Sequence, residues 1–182
     1  MTNSNLKIGY ALTTSTKDGF IGAILVSDEK GFPLEFQYTD PIVPTKLQKV
    51  LYGASLEKYL KVDVILDNLL SVLSNKLDLI IVQDEQMLFY NKNKVDMVRI
   101  VETNLIDEKT SSEFEKVKGD EYIFLYSKTN SPIRVTFKDN VTEDSPLFTK
   151  ISDITKNIGQ YINITEPLER VQKSIEIIID KQ

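Results

Sequence analysis

A segment of alternating apolar residues, residues 20–40, constrains the fold of this chain more than any other stretch. An apolar run from Ile21 to Val26 leads into the polar break Asp28-Glu29-Lys30-Gly31. After the break, every second residue is large and apolar, namely Phe32, Leu34, Phe36 and Tyr38. Period-two alternation beyond a polar, Gly-containing break predicts a β-hairpin. The rest of the chain must then cover this hairpin.

Further β-strands are predicted on both sides of the hairpin. Residues 8–15 form a first strand, which makes a three-stranded meander of the first forty residues. A second meander is expected from three short apolar runs, 77–82, 87–90 and 95–101. A third hairpin is expected from residues 121–127 and 133–138. The sheet is therefore predicted to be mainly antiparallel.

Helices are predicted where apolar residues recur at intervals of three and four. Thr45 and Gln48 match a capping box, and a helix interrupted near Gly53 follows them. A second stripe runs from Val62 to Leu73, and a short helix is expected at residues 112–118. Two further amphipathic helices begin at the Ser145-Pro146 and Glu166-Pro167 pairs. The predicted fold class is α+β, with meander sheets packed by amphipathic helices and two helices at the C-terminus.

Two units are expected in this chain of 182 residues. Residues 1–139 would form the α+β sheet domain. Residues 140–182 would form a helical pair that packs on that domain or on a partner. In the last helix Ile175, Ile178 and Ile179 share one face, which suits either core cover or a partner-docking surface.

Composition excludes several kinds of chemistry. The chain has neither His nor Cys, so imidazole bases, thiol nucleophiles and zinc–thiolate sites are ruled out. A net charge of −5 argues against a nucleic-acid partner. No apolar run approaches the roughly 20 residues of a membrane-spanning helix, and the N-terminus lacks the apolar core of a signal peptide. We therefore expect a cytoplasmic protein with no membrane partner.

Four polar or aromatic residues are candidates for a ligand or partner surface. Glu35 lies within an apolar strand, where it is either an exposed or ion-paired residue or a functional carboxylate. Thr45, Gln48 and Tyr52 follow two closely spaced prolines, Pro41 and Pro44. Their segment would either present free helix amides to an anion or serve as a rigid turn that orients the helix.

Acidic clusters give only weak indications of catalysis. Asp84-Glu85 follows a buried strand, as in nucleoside triphosphatases, but no phosphate-binding glycine loop accompanies it. Asp28-Glu29-Lys30 and the segment 113–116 have the acid-and-lysine texture of metal-dependent nucleases. From these patterns we assign no catalytic residue, no metal ligand and no cofactor.

The segment Gly22–Asp28 followed by Gly31–Leu34 resembles the central hairpin of roadblock and related profilin-like regulatory domains. This resemblance implies binding to small GTPases and scaffold partners, without enzymatic activity. The longer run from Gly31 to Gly53, GFPLEF…LYG, resembles a set of uncharacterised bacterial proteins and implies no activity.

The function predicted from the sequence is a non-catalytic protein-interaction or regulatory subunit of a cytoplasmic bacterial complex, with a protein partner or a homodimer. One alternative is a carboxylate- and metal-dependent hydrolase or nuclease. The other is a nucleic-acid-associated accessory subunit. A basic face would favour the latter, formed by Lys46, Lys49, Lys58 and Lys61.

Overall fold

A computed structural model describes residues 5–17, 19–92, 94–104, 113–125 and 131–180. Eight strands form one sheet in the order β3-β2-β1-β4-β5-β8-β7-β6. The strands are β1 (Ile8–Thr16), β2 (Gly19–Ser27), β3 (Pro33–Tyr38), β4 (Leu79–Val82), β5 (Met97–Glu102), β6 (Phe114–Lys118), β7 (Glu121–Phe124) and β8 (Ile133–Thr136).

Helices cover the sheet and connect its strands. After β3 comes α1 (Lys46–Tyr52), and residues 56–71 then form a continuous helical run that we call the central helix. The central helix comprises α2 (Leu56–Lys58), a π-helical stretch (Tyr59–Leu66) and α3 (Asp67–Ser71). The C-terminal pair is α4 (Pro146–Ile158) and α5 (Glu166–Asp180). Within the described residues, no helix is long and apolar enough to cross a membrane.

The sheet is mixed, so the second antiparallel meander predicted for residues 77–101 is wrong, whereas β7 and β8 of the predicted last hairpin do pair antiparallel. β4 pairs in parallel with β1, and β5 pairs in parallel with β4. Residues 87–90 are predicted as a returning strand, but residues 87–89 belong to a 3₁₀-helix (Glu85–Phe89) and Tyr90 is its C-cap. The Asp84 side chain accepts the Gln86 N–H at the start of this helix, which turns the chain out of the sheet. The chain then returns in the same direction as β4.

A second difference concerns the segment predicted as a helix at residues 112–118. Residues 114–118 form the edge strand β6 and pair antiparallel with β7; Ser112 lies outside the described residues. The Glu and Lys residues of this segment favour a helix. Pairing with β7 and the packing of the Phe114 ring on Phe124 of β7 and Phe148 of α4 outweigh that preference. Asp18 in the first predicted turn and residues 126–130 of the last hairpin also lie outside the described residues.

Two hydrophobic cores lie on opposite faces of the sheet. The larger core packs α4 and α5 on one face. The smaller core packs the central helix and the 3₁₀-helix on the other face, against β1, β2 and β4. Ile175 is fully buried in the larger core, and Ile178 and Ile179 pack against it. The isoleucine face of α5 is thus used within the chain itself.

The alternating apolar residues of β3, and Phe32 just before it, are exposed to solvent, unlike most apolar side chains of the described residues. Phe32 is 65% exposed and Tyr38 is 52% exposed. Glu35 lies on the covered face, where its carboxylate accepts hydrogen bonds from the Ser74 N–H at 2.9 Å and from the Asn75 side chain at 2.8 Å. Glu35 therefore ties the edge strand to the loop that follows the central helix.

The carboxylate of Glu35 gives a pH-dependent contribution to stability. Partial desolvation raises its pKa, but hydrogen bonds from Ser74, Asn75 and Gln37 outweigh this and lower the pKa to about 2. Because the folded pKa lies below the unfolded value, this stabilisation is present above about pH 4.5 and is lost as the pH falls toward 2. We expect Glu35→Gln to cost about 1 kcal/mol at pH 7, since solvent screens the partly exposed group, and to cost less at pH 2.5.

Urea unfolding of both proteins between pH 2.5 and 7 measures this difference. The exposed Glu143 supplies a control, Glu143→Gln, that removes one surface charge without breaking a comparable set of hydrogen bonds. The prediction would be contradicted if the free energies of unfolding of Glu35→Gln and the wild type differed by the same amount at every pH.

Candidate functional site

A notch in the sheet lies between β1 and β4, where the order of the strands in the sheet changes direction along the sequence. β2 and β3 are added on one side of β1, whereas β4 and β5 are added on the other. Such a switch point between parallel strands leaves a crevice outside their carboxyl ends, and ligands of open α/β sheets bind there. The pairing of β1 with β4 ends at Ala11 and Val82. β1 continues beyond this point to Thr16 without β4 beside it.

The floor of the notch is a small crevice of about 220 Å³, lined by Leu12, Thr13, Gln83 and Asp84. We call it the switch-point crevice. Thr13 is only 8% exposed, and its hydroxyl has no hydrogen-bond partner within the described part of the chain. Gln83 is exposed, and its backbone carbonyl accepts the Arg99 Nε–H at 2.8 Å. The crevice thus offers a hydroxyl, an amide and a carboxylate.

One lysine of the central helix reaches into this region. The Lys61 ammonium lies 2.6 Å from a Glu57 oxygen and 2.9 Å from an Asp84 oxygen, and its side chain is only 12% exposed. Desolvation lowers the pKa of Lys61, but the hydrogen bonds and charges of Glu57 and Asp84 outweigh it, so that the net pKa is raised. Lys61 therefore remains charged at neutral pH, and its charge is balanced locally.

More lysines lie along the same edge of the sheet. Lys17 and Lys49 line a second cavity of about 550 Å³ beside the carboxyl end of β1, together with Phe20 and Leu56. Farther along the edge, the Lys58 ammonium lies 4.0 Å from the centre of the Phe89 ring. That ring is 55% exposed. The ammonium lies over one face of the ring, which is a cation–π contact. Single-strand binding sites combine such aromatic rings, on which nucleobases stack, with cations that contact the backbone.

A third cavity, of about 540 Å³, lies on the other side of Gln83, between β5 and α5. Its lining includes the carboxylates of Glu102, Glu169 and Glu176. Hydrogen bonds from Asn163 and Thr165 lower the pKa of Glu102, so this group stays ionised. Because Gln83 lines both this cavity and the switch-point crevice, the two adjoin. Three carboxylates against one lysine, Lys173, make this end of the notch acidic, which suits hydrogen-bond donors rather than phosphates.

A divalent metal centre does not fit the side chains present. Metal-dependent nucleases hold their ions with several converging carboxylates. Across the described residues, no group of three or more acidic, His or Cys side chains could hold a metal ion. Asp84 is engaged by Lys61, and Glu102 is engaged by Asn163 and Thr165.

The residues predicted from the sequence as a ligand surface lie elsewhere in the fold. Thr45 and Gln48 form the expected capping box at the start of α1, with bonds of 2.9 and 3.1 Å. Tyr52 stacks on Tyr59 with ring centres 4.4 Å apart. The capping box and the tyrosine pair are local contacts, whereas Glu35 ties β3 to the loop after the central helix. A ligand-binding role for these residues stays a prediction.

Only part of the notch is indicated by the sequence. Asp84-Glu85, at the end of β4, follows a buried strand. Lys49, Lys58 and Lys61 belong to the basic face that the sequence predicts for a nucleic-acid-associated subunit. Thr13, Gln83 and Phe89 carried no recognisable signal, because each acquires its role only from neighbours distant in the sequence.

Comparison with known proteins identifies the architecture. No family model and no curated protein matches the chain. Endonuclease V of Streptomyces avermitilis superposes with a TM-score of 0.61 at 10% identity, covering 96% of this chain and 82% of that one. A variant of endonuclease V of Ciona intestinalis, in complex with DNA that contains an inosine, gives a TM-score of 0.56 at 12% identity and covers 99% and 88%. The chain shares the fold of endonuclease V.

Argonaute of Marinitoga piezophila, in complex with guide RNA and target DNA, shares the architecture as well. Its TM-score is 0.51 at 16% identity, and the match covers 94% of this chain but only 30% of Argonaute. The likeness therefore extends to one part of that larger protein.

These similarities correct two predictions made from the sequence. The main prediction, a non-catalytic protein-interaction or regulatory subunit, is wrong, because the fold is that of nucleic-acid-cleaving enzymes. The argument against a nucleic-acid partner is also wrong. It relied on the net charge of −5, which averages over the surface, whereas the cavity beside β1 has two lysines in its lining. No comparison bears on the roadblock-like resemblance of the hairpin, which stays a prediction.

Proposed function

We propose that this protein binds a nucleic-acid strand along the notch at the carboxyl ends of β1 and β4. The observation that carries the proposal is the exposed Phe89 ring, in the 3₁₀-helix that follows β4, with the Lys58 ammonium 4.0 Å from the ring centre. The fold is shared with DNA-bound endonuclease V. Phe89 would stack on an unpaired base, and Lys58 would contact the adjacent phosphate.

Two further lysines extend the proposed path of the strand. Lys17 and Lys49 line the cavity beside the carboxyl end of β1, where they would neutralise further phosphates. Single-stranded nucleic acid is favoured over duplex, because stacking on Phe89 requires an unstacked base. A cytoplasmic location, inferred from the sequence, agrees with this proposal because nucleic acid is present there.

The proposal is tested by fluorescence anisotropy with labelled single-stranded DNA, single-stranded RNA and duplex DNA at several salt concentrations. We expect Phe89→Ala to weaken single-strand binding about tenfold. Phe32→Ala serves as the matched control. Phe32 is also exposed, but it lies just before β3, at the end of the sheet opposite the carboxyl end of β1. An equal loss in both variants would contradict stacking on Phe89.

The charge contribution is tested by replacing Lys17, Lys49 and Lys58 together with alanine. Loss of three phosphate contacts should reduce the slope of log affinity against log salt by about 2 for a single strand. A control variant removes the same charge elsewhere, at Lys138, Lys150 and Lys156. If both triple variants lose the same affinity, or if the wild type binds no nucleic acid, the proposal fails.

A further inference from the structure

We propose that the ammonium group of Lys61 acts as a permanent internal cation at the switch-point crevice, in the place where a divalent metal ion would otherwise bind. Lys61 is held by two carboxylates from different elements, Glu57 on the central helix and Asp84 after β4. A single positive charge thus bridges the two sides of the notch.

The geometry around this ammonium resembles a small cation site. Its distances of 2.6 Å to Glu57 and 2.9 Å to Asp84 limit the separation of the two oxygens to about 5.5 Å, the sum of the two. Each oxygen would need to move by less than about 1 Å to bind one divalent cation, since the bonds of such ions to oxygen are about 2.0–2.6 Å long. Glu57 is 54% exposed on its side chain, so it can make this adjustment.

A second observation indicates an incomplete polar site at the same place. The Thr13 hydroxyl lines the crevice beside Asp84, is buried, and has no partner among the described residues. A buried hydroxyl without a hydrogen bond is destabilising, because its desolvation is not compensated. A hydrated cation between Glu57 and Asp84 would supply water molecules as partners, which the bulkier and drier lysine side chain does not.

The proposal predicts that removing the ammonium creates a metal site. Lys61→Met keeps the apolar stem of the side chain but leaves two carboxylates facing each other. We expect the variant to bind Mn²⁺ with a dissociation constant of about 1 mM, as weak open sites do. Its melting temperature should then rise by about 3–5 °C in 10 mM MnCl₂, whereas the wild type should shift by less than about 1 °C.

Matched variants separate this site from general effects of the metal. Lys150→Met breaks the ion pair of Lys150 with Asp96, at 2.6 Å, where a single carboxylate is involved; it should gain no response to Mn²⁺. Adding Asp84→Asn to Lys61→Met should abolish the rise of the melting temperature in MnCl₂. Lys61→Gln repeats the experiment with a polar stem in case Lys61→Met does not fold.

Two results would overturn the proposal. One is a wild-type protein that binds Mn²⁺ in calorimetric titration and loses this binding on Asp84→Asn. The other is a folded Lys61→Met or Lys61→Gln variant without any response to Mn²⁺. Because the readout requires only protein and metal, its outcome is independent of whether the notch binds nucleic acid.

Discussion

Replacing Phe148 with alanine is expected to lower the free energy of unfolding by about 3–5 kcal/mol. The ring is 3% exposed and lies at the centre of an aromatic cluster, with ring centres 4.8 Å from Tyr122, 5.0 Å from Phe114 and 5.5 Å from Phe124. Alanine would leave a cavity where α4 meets β6 and β7 and would remove three edge-to-face contacts.

Urea unfolding at neutral pH measures this loss, and a thermal melt should show a decrease of about 10 °C. Phe32→Ala, at a position 65% exposed, should cost less than about 1 kcal/mol. Similar losses in the two variants would mean that the aromatic cluster does not anchor α4 to the sheet.

Replacing Gly22 with alanine is expected to destabilise the protein by about 2–3 kcal/mol and to displace the central helix. A Cβ atom at Gly22 would overlap the Cγ2 atom of Ile65 and lie 3.0 Å from the Cγ2 atom of Thr13. Ile65 is fully buried on the central helix, one turn beyond Lys61. The absent side chain at Gly22 therefore determines how closely the helix that carries Lys61 approaches the notch.

A double-mutant cycle tests this account. Ile65→Ala alone should cost about 2–5 kcal/mol. Combined with Gly22→Ala, the double change should cost at least about 1 kcal/mol less than the sum of the single changes, because truncation of Ile65 removes the Cγ2 atom that the new Cβ would overlap. Gly9→Ala is the control, since its Cβ would meet the side chains of Leu77, Ile24 and Ile80, none of which belongs to the central helix. Additive costs for Gly22→Ala and Ile65→Ala would contradict direct packing.

Both predictions bear on the proposed site. The aromatic cluster fixes α4 on one face of the sheet, and Gly22 fixes the central helix on the other. Lys58, Lys61 and the Phe89 ring keep their positions only while the central helix and the end of β4 stay in register. A displaced helix should weaken nucleic-acid binding without removing any residue of the notch.

Local features of the fold were readable from the sequence because their interactions span only a few residues. Thr45 caps α1 and Ser145 caps α4, each through a hydrogen bond to the residue three positions later. The hairpin of β1 and β2 follows from its alternation and its turn. The stripe on α5 likewise follows from the spacing of its isoleucines.

Strand direction and exposure were decided by tertiary contacts. The run Leu79–Val82 is apolar on both faces, so its pattern is equally compatible with parallel and antiparallel pairing. β3 exposes its aromatic residues because the loop after the central helix lies against the face that carries Glu35. No pattern within β3 indicates which of its faces is covered.

The amino-acid sequence by itself determined the α+β class, the helix caps and the absence of imidazole and thiol chemistry, since these depend on composition and on near neighbours. Only the tertiary structure brought Thr13, Lys61 and Asp84 to one notch. The parallel register of β1 and β4 sets their arrangement, and that register arises from packing between segments about seventy residues apart.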